Sequence, residues 1–230
     1  MSRRGFLGSA AGAAAAGLAG AAGLGGLIAE TSRPLSGCAL VDSGSCCTLR
    51  ESVAGYESAL RGAGIRYAAA SFRSLPLART VILPAVGRIG RPDLAKLKGH
   101  LERGSTVLFE SGAAFLDSGE FDFHRHLIRS KFGLGLYSPI GLWDSADSFK
   151  RSPFVDYGWP LTVKVRDFSR IVPVDGKDGD AIAWFHELPV AVKRRVGKGI
   201  LVFLGSPLGP HLLSGDREAS GWLGAFCASC

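Results

Sequence analysis

The amino-acid sequence predicts an α/β fold, a three-layer αβα sandwich with a mainly parallel central sheet and an antiparallel hairpin near the C-terminal end. In residues 81–115 an apolar run, a Gly/Pro break, an amphipathic stretch and a second apolar run follow one another. This is the order of strand, crossover helix and parallel strand. The run Val81-Ile82-Leu83 does not alternate with polar residues, so we expect that strand to be buried on both faces. Residues 196–199 form a short glycine-containing connection between two apolar runs, which is typical of a hairpin.

Strands and helices alternate through the first half of the chain. Apolar residues recur at helical spacing in 48–61, and the glycines that follow mark the end of that helix. Pro92-Asp93 opens a second helix and Gly104 closes it. The predicted elements of this half are strand 38–42, helix 48–61, strand 65–70, strand 81–84, helix 92–104 and strand 106–110.

The second half of the chain is richer in strands. Residues 161–165 alternate polar and apolar side chains, as a half-buried strand does. The predicted elements of this half are helix 121–135, an irregular region at 137–157, strands 161–165, 181–185, 189–196 and 199–204, and helix 218–226.

Length and composition indicate one globular domain, residues 38–230, after a linker at 30–37. The chain has 230 residues, 47% of them hydrophobic and 20% charged, which is enough for a substantial core. The formal net charge is +7. Because the sequence contains no dense basic stripe with aromatic neighbours, this charge predicts a solvated surface rather than a nucleic-acid partner.

Residues 1–29 have the features of an export signal. Arg3-Arg4 precede Phe6-Leu7, the stretch from residue 7 to residue 29 carries no charge, and residues 19–21 offer a small-x-small cleavage site. The segment resembles twin-arginine signal peptides. The resemblance implies export through the twin-arginine machinery to the periplasm, with membrane contact only where the signal stays uncleaved.

The candidate ligand cleft lies at the carboxyl ends of the strands, where open parallel sheets bind their ligands. A carboxylate there acts as a base or ligand when burial raises its pKa. The simpler interpretation of Glu110 is a cap on the N-terminus of the following helix. The candidate cleft residues are Asp42, Glu110, Ser111, Gly112, Gly205 and Ser206.

Two stretches carry a family resemblance. The first stretch begins with Val81-Ile82-Leu83-Pro84-Ala85, continues through a helix and ends with residues 97–108 (LKGHLERGSTVL). The second stretch is the late run 197–205 (GKGILVFLG). Over residues 38–226 the chain resembles class I glutamine amidotransferase-like domains. It looks closest to non-catalytic relatives such as the trimerisation domain of family 42 beta-galactosidases and the trehalose-utilisation type. The resemblance implies a flavodoxin-like sheet and specifies activity poorly.

The same resemblance allows a test for a surviving active site. Catalytic members carry a Cys on the sharp turn after the fourth strand and a His-x-Glu after the last strand. Ser111 occupies the first position here, but residues 203–207 read FLGSP where those enzymes have Phe-His-Pro-Glu. An unassisted serine is a weak nucleophile, and His211 is the remaining candidate base, with Asp216 to orient it. An imidazole within hydrogen-bond reach of Ser111 would favour a hydrolase.

The other histidines are weaker candidates. His186-Glu187 copies the letters of the family motif but precedes the hairpin, so we expect a turn there. His124 and His126 are two residues apart on a predicted helix and therefore point in different directions, which makes them a poor metal pair.

Five cysteines occur in the chain, and export to an oxidising compartment favours disulfides among them. Cys227 and Cys230 have C-x-x-C spacing, which also suits a redox pair or half of a metal site. The disulfide candidates are Cys38, Cys46, Cys47, Cys227 and Cys230.

The sequence therefore predicts an exported, non-catalytic amidotransferase-like domain that binds a small-molecule or protein ligand or serves in assembly, without a cofactor. The first alternative is a hydrolase or amidase that uses Ser111 or Glu110. The second alternative is a redox or metal-binding protein that uses the cysteines.

Overall fold

The structure is a computed structural model that describes residues 37–44, 47–111, 118–142, 153–167 and 170–230. The chain divides after residue 33 into two units, of which the second, Pro34–Cys230, holds all the elements described here. The strands are β1 (Cys38–Val41), β2 (Tyr67–Ala70), β3 (Thr80–Leu83), β4 (Thr106–Glu110), β5 (Ile140–Gly141), β6 (Phe154–Tyr157), β7 (Val163–Arg166), β8 (Arg170–Ile171), β9 (Asp180–Phe185), β10 (Leu188–Val196) and β11 (Gly199–Leu204). The helices are α1 (Cys47–Gly62), α2 (Arg91–Glu102), α3 (Ser118–Phe132), α4 (Gly209–Leu213) and α5 (Arg217–Ser229).

A nine-stranded sheet in the order β2-β1-β3-β4-β11-β10-β9-β6-β7 forms the centre of the molecule. The strands from β2 to β11 in this order pair in parallel, and those from β11 to β7 pair antiparallel. Strands β5 and β8 form a separate antiparallel pair. The predicted α/β class is confirmed, and the antiparallel part is longer than the single hairpin expected.

Helices cover both faces of the sheet, and each face has its own apolar core. Ile82 and Leu108 pack with apolar side chains of α1, α4 and α5. Val81 and Leu83 pack on the opposite face with apolar side chains of α2 and α3. Because successive residues of a strand point to opposite faces, a strand between two helical layers has to be apolar throughout. This explains the unbroken apolar run at 81–83 and confirms the three-layer arrangement.

The main departures from the sequence prediction lie in the second half. The region expected to be irregular, 137–157, contributes β5 and β6 to the structure, and the short helix α4 was not predicted. Among the described helices, none combines the length and apolarity needed to cross a bilayer. Several predicted features lie outside the described residues: the signal segment with Arg3 and Arg4, the linker up to residue 36, Cys46, Gly112 and the stretch 143–152.

Candidate functional site

The candidate site is the carboxyl end of β4, where two adjacent polar residues point to opposite faces of the sheet. The side chain of Glu110 contacts α1 and the start of α4. The side chain of Ser111, immediately after the strand, contacts α3. Both residues have 0% exposure. One strand end therefore supplies polar groups to both helical layers.

The buried carboxylate of Glu110 accepts hydrogen bonds from four donors. Its Oε1 accepts from Ser52 Oγ at 3.1 Å, and its Oε2 accepts from Tyr56 Oη at 2.6 Å. Oε2 also accepts from the backbone N–H groups of Leu208 and Gly209, each at 3.2 Å. Burial raises the pKa of Glu110 to about 7, although all four donors favour the ionised form and lower it.

Glu110 caps a helix, but not the one expected from the sequence. The expected helix was α3, which follows β4 in the chain. The carboxylate instead accepts N–H groups at the start of α4, almost a hundred residues later. Since unpaired N–H groups at a helix start favour a negative partner, this contact orders the segment that follows β11.

Glycine makes the contact between α1 and α4 possible. A Cβ added to Gly55 would lie 1.9 Å from the carbonyl oxygen of Gly209, and one added to Gly209 would lie 2.4 Å from Cα of Ser52. The two backbones therefore approach more closely than any residue with a side chain allows. This approach brings the start of α4 within reach of the Glu110 carboxylate.

Ser111 is hydrogen-bonded to a histidine that the sequence analysis did not select. Its Oγ lies 3.2 Å from Nε2 of His124 on α3, whereas no hydrogen bond joins it to His211 among the described contacts. His124 is buried, and burial lowers its pKa to about 3, so the imidazole is neutral near pH 7. A serine nucleophile needs a base that takes its proton, and an imidazole whose pKa lies this far below 7 takes that proton poorly.

A signal for His124 was present in the sequence. Phe121, Leu127 and Ile128 lie three or four residues from it and are all buried, so His124 falls on the apolar face of α3. His126 is exposed on the other side, as the two-residue spacing predicted. The ring of His124 lies beside Phe109 of β4, with the centroids 5.9 Å apart.

A cleft of about 620 Å³ lies next to His124. Its walls come from the loop between β3 and α2 and from the first turns of α3, where Arg88 and Glu120 form an ion pair. Ser111 is not among the residues that line this cleft. The cleft therefore reaches the imidazole and stops short of the serine hydroxyl.

Backbone hydrogen bonds to segments on both sides fix the end of β4. Ala85, just after β3, has a φ of 38°, which is in the left-handed region that non-glycine residues rarely adopt. This conformation directs the N–H of Val86 to the carbonyl of Glu110 at 2.7 Å. The N–H of Ser111 donates to the carbonyl of Leu204 of β11, also at 2.7 Å. The backbone around the candidate nucleophile is thus bound on both sides.

The other residues that were predicted to line the cleft make different contacts in the structure. Ser206 is buried, and its hydroxyl donates to Oδ2 of Asp167 at 2.5 Å. A Cβ added to Gly205 would lie 1.9 Å from the carbonyl oxygen of Val172, so this glycine fills a close backbone contact. Asp42, expected across the cleft, is exposed and accepts the N–H of Gly44 in a local turn. His186 lies in the turn between β9 and β10, as predicted.

The side chains of Cys46 and Cys47 lie outside the described part of the chain, and the other three cysteines, Cys38, Cys227 and Cys230, are free thiols. The disulfide expected from the sequence is therefore not present among them. Burial raises the pKa of Cys38 and of Cys227 to about 12, and each thiol lies near another of the three. The described residues contain no group of three or more His, Cys, Asp or Glu side chains arranged to hold a metal ion.

Comparison with known proteins identifies the fold. No protein-family model matches the chain, and a search of curated proteins finds no match. Among solved structures, a beta-galactosidase from Rahnella sp. R3 matches 84% of this chain with a TM-score of 0.64 and 12% identity. An exo-beta-1,4-mannosidase from Opitutaceae bacterium strain TAV5 matches 85% with a TM-score of 0.61 and 14% identity.

The extent of these matches differs between the two kinds of relative. This chain spans only 31% of the galactosidase and 36% of the mannosidase. By contrast, it spans 99% of a cytoplasmic protein from Salmonella typhimurium LT2, at a TM-score of 0.57 and 10% identity. The chain therefore has a fold that forms about a third of these larger glycosidases and nearly all of a small protein.

Proposed function

We propose that this chain is a non-catalytic amidotransferase-like module that acts in assembly, by association with copies of itself. The observation that carries the non-catalytic part of the proposal is the closed end of β4. The Glu110 carboxylate is used by four internal donors, and Ser111 has no exposed surface. A nucleophile has to project clear of the sheet toward its substrate, and here the polar groups serve packing instead.

The structural relatives support a module of this kind. In the Rahnella and Opitutaceae enzymes the fold is one part of a longer chain, so it can accompany a catalytic domain. The family resemblance in the sequence points in the same direction, because the relatives it suggests include a trimerisation domain. Large assembly interfaces are typical of obligate oligomers.

Two measurements on the full chain test the proposal. Light scattering after size-exclusion chromatography is expected to give a mass that is a multiple of 24.1 kDa. A fluorophosphonate probe, which labels activated serines, is expected to leave Ser111 unmodified at neutral pH. A monomeric mass at every concentration would overturn the assembly role, and labelling that disappears in Ser111→Ala would overturn the non-catalytic one.

One observation favours a second candidate, a hydrolase that uses Ser111. The hydrogen bond between Ser111 and His124 joins the residue types of a nucleophile and its base, and the adjacent cleft is large enough for a small substrate. In this reaction His124 takes the serine proton while Oγ attacks an acyl carbon, the imidazolium returns that proton to the departing group as its bond to the acyl carbon breaks, and water then hydrolyses the acyl-serine ester. The candidate requires the hydroxyl to become accessible, so it predicts labelling that is lost in both Ser111→Ala and His124→Gln.

We also propose that the chain is exported by the twin-arginine route. The proposal rests on Arg3-Arg4 and on the uncharged stretch that follows. A reporter fused behind residues 1–37 is expected to reach the periplasm in cells with the twin-arginine machinery and to stay in the cytoplasm without it. Replacing both arginines by lysine keeps the charge, so export that continues in this variant would count against the route.

A further inference from the structure

A second cleft, of about 360 Å³, lies between α2 and the connection from β2 to β3. It is separate from the end of β4, and its walls include Phe72, Arg73 and Leu75 of the connection. From α2 come Lys96 and His100, followed by Arg103 at the end of the helix. These described lining residues include three cations and no carboxylate.

Helical spacing brings the basic groups of α2 together. Lys96, His100 and Arg103 are four and three residues apart, so they occupy one face of the helix. Lys96 Nζ donates to the carbonyl oxygen of Phe72 at 2.8 Å, which holds the connection against α2. Arg73 of the connection and Arg103 at the end of α2 both line the cleft, so its positive groups come from two elements.

His100 is the buried polar group of this cleft. It has 6% exposure, and its Nδ1 has no hydrogen-bond partner among the described residues. Burial and the neighbouring Arg103 lower the pKa of the imidazole. The Nδ1 atom has almost no accessible surface, so it is the rest of the imidazole ring that lines the cleft.

Gly99 leaves the floor of the cleft open. A Cβ built on this glycine would meet no described atom within 4 Å apart from its chain neighbours and its own helix backbone. The space above Gly99 is therefore available to a ligand, and larger side chains can be introduced there without a backbone clash.

We propose that this cleft binds a tetrahedral oxyanion, either free phosphate or the phosphate group of an ester. Two arginines and a lysine match the charge and the several acceptor oxygens of phosphate. A guanidinium group can donate two parallel hydrogen bonds to two such oxygens. The ring of Phe72 and the side chain of Leu75 provide an apolar wall for the organic part of an ester. This proposal is independent of the assembly role and of the Ser111 contact.

Calorimetric titration of the full chain tests the proposal, with inorganic phosphate and phenyl phosphate as probes at constant ionic strength in chloride. Saturable binding of one anion per chain is expected. The Arg103→Gln variant is expected to weaken binding about tenfold, the effect of losing one charge-assisted hydrogen bond. Gly99→Leu fills the cleft and is expected to abolish binding. Tighter binding of phenyl phosphate identifies an ester as the ligand, and equal affinities identify the free anion.

Lys98→Gln is the matched control. Lys98 lies on the same helix outside the cleft, 3.8 Å from Glu102, and its removal changes the net charge by the same amount as Arg103→Gln. Binding to Lys98→Gln is expected to equal that of the unmodified chain, and circular dichroism confirms that each variant is folded. Absence of saturable binding for both probes, or equal weakening by Lys98→Gln and Arg103→Gln, would overturn the proposal.

Discussion

The hydroxyl of Tyr56 donates to Oε2 of Glu110 over 2.6 Å, and both side chains have 0% exposure. The contact links the middle of α1 to the end of β4 across 54 residues of sequence. The same oxygen of Glu110 accepts two N–H groups at the start of α4. This carboxylate therefore connects three elements, and its loss should affect stability more than any surface polar contact.

Replacing Tyr56 by phenylalanine tests that connection. The variant keeps the ring and removes one donor from a buried carboxylate, so we expect the free energy of unfolding to fall by about 1–3 kcal/mol. Urea denaturation measures the change. Tyr67→Phe is the control, because among the described residues the Tyr67 hydroxyl is hydrogen-bonded to the exposed Arg61 alone, at 3.3 Å, and its loss should change stability by less than about 0.5 kcal/mol. Equal losses in the free energy of unfolding of the two variants would show that the hydrogen bond from Tyr56 to Glu110 contributes no more than an exposed one.

The raised pKa of Glu110 predicts a specific dependence of stability on pH. The folded protein holds the proton up to a pKa of about 7, against an ordinary value of 4.5, so this group's contribution is full below pH 4.5 and is lost as the pH rises to about 7. Glu110→Gln removes that contribution and keeps the shape, with the amide donating to Ser52 Oγ. Relative to the unmodified chain, the variant should lose about 3 kcal/mol on acidification from pH 7 to 4.5. Urea unfolding across this range measures the difference, and a constant difference would contradict it.

His124 is expected to show the opposite dependence. Its pKa is lowered from 6.5 to about 3, so its contribution is present above pH 6.5 and is lost as the pH falls. Relative to the unmodified chain, His124→Gln should therefore become more stable on acidification below pH 6.5. Because Glu110 and His124 act in opposite directions between pH 4.5 and 6.5, their effects offset each other in the unmodified chain. NMR titration of the His124 ring provides a direct check, and protonation above pH 5 would contradict the prediction.

The close approach of α1 and α4 predicts that Gly209→Ala is strongly destabilising. The added Cβ would lie 2.4 Å from Cα of Ser52, so the helices must separate, at a cost of about 1–3 kcal/mol. Gly224→Ala in α5 is the matched control. A Cβ built there would meet no described atom within 4 Å outside its chain neighbours and its own helix backbone, and the helix propensity of alanine should stabilise the protein by about 0.5–1 kcal/mol. Thermal unfolding of the two variants should give shifts of opposite sign.

The thiols of Cys38 and Cys227 should react slowly in the folded protein. Burial raises the pKa of each to about 12, and the thiolate is the reactive form. Alkylation at pH 8 followed by peptide mass mapping is expected to show little modification at either residue until denaturant is added. Rapid labelling of Cys227 in the native state would favour the redox alternative.

Periodicity and polarity were sufficient to predict the layers of the fold. The apolar run at 81–83 and the spacing of Leu94, Leu97 and Leu101 each indicate which surfaces are buried, and the structure buries all of them. Glu110 and Ser111 were also selected from their position at a strand end. Such features depend on neighbours in the sequence, and local patterns record them directly.

The partners of those two residues were harder to predict because they come from distant segments. Ser52 and Tyr56 look like ordinary positions on an amphipathic helix, and α4 has only five residues, too few for a periodic signal. His124 was considered only as a metal ligand with His126, and was rejected as one, although its position among apolar residues indicated burial. The contact to Asp167 from Ser206 likewise joins segments 39 residues apart.

Because the side chains of Glu110 and Ser111 point to opposite faces of the sheet, they affect how its strands align during folding. The core strand β4 is apolar on both faces from Val107 to Phe109, so its hydrophobic pattern alone does not distinguish one pairing register from the next. A slip of one residue would move the carboxylate toward the apolar side chains of α3 and leave the Tyr56 hydroxyl without its acceptor. The two polar residues therefore identify the correct alignment of β4 with β3 and β11, and misaligned sheets are excluded by the cost of burying an unpaired charge.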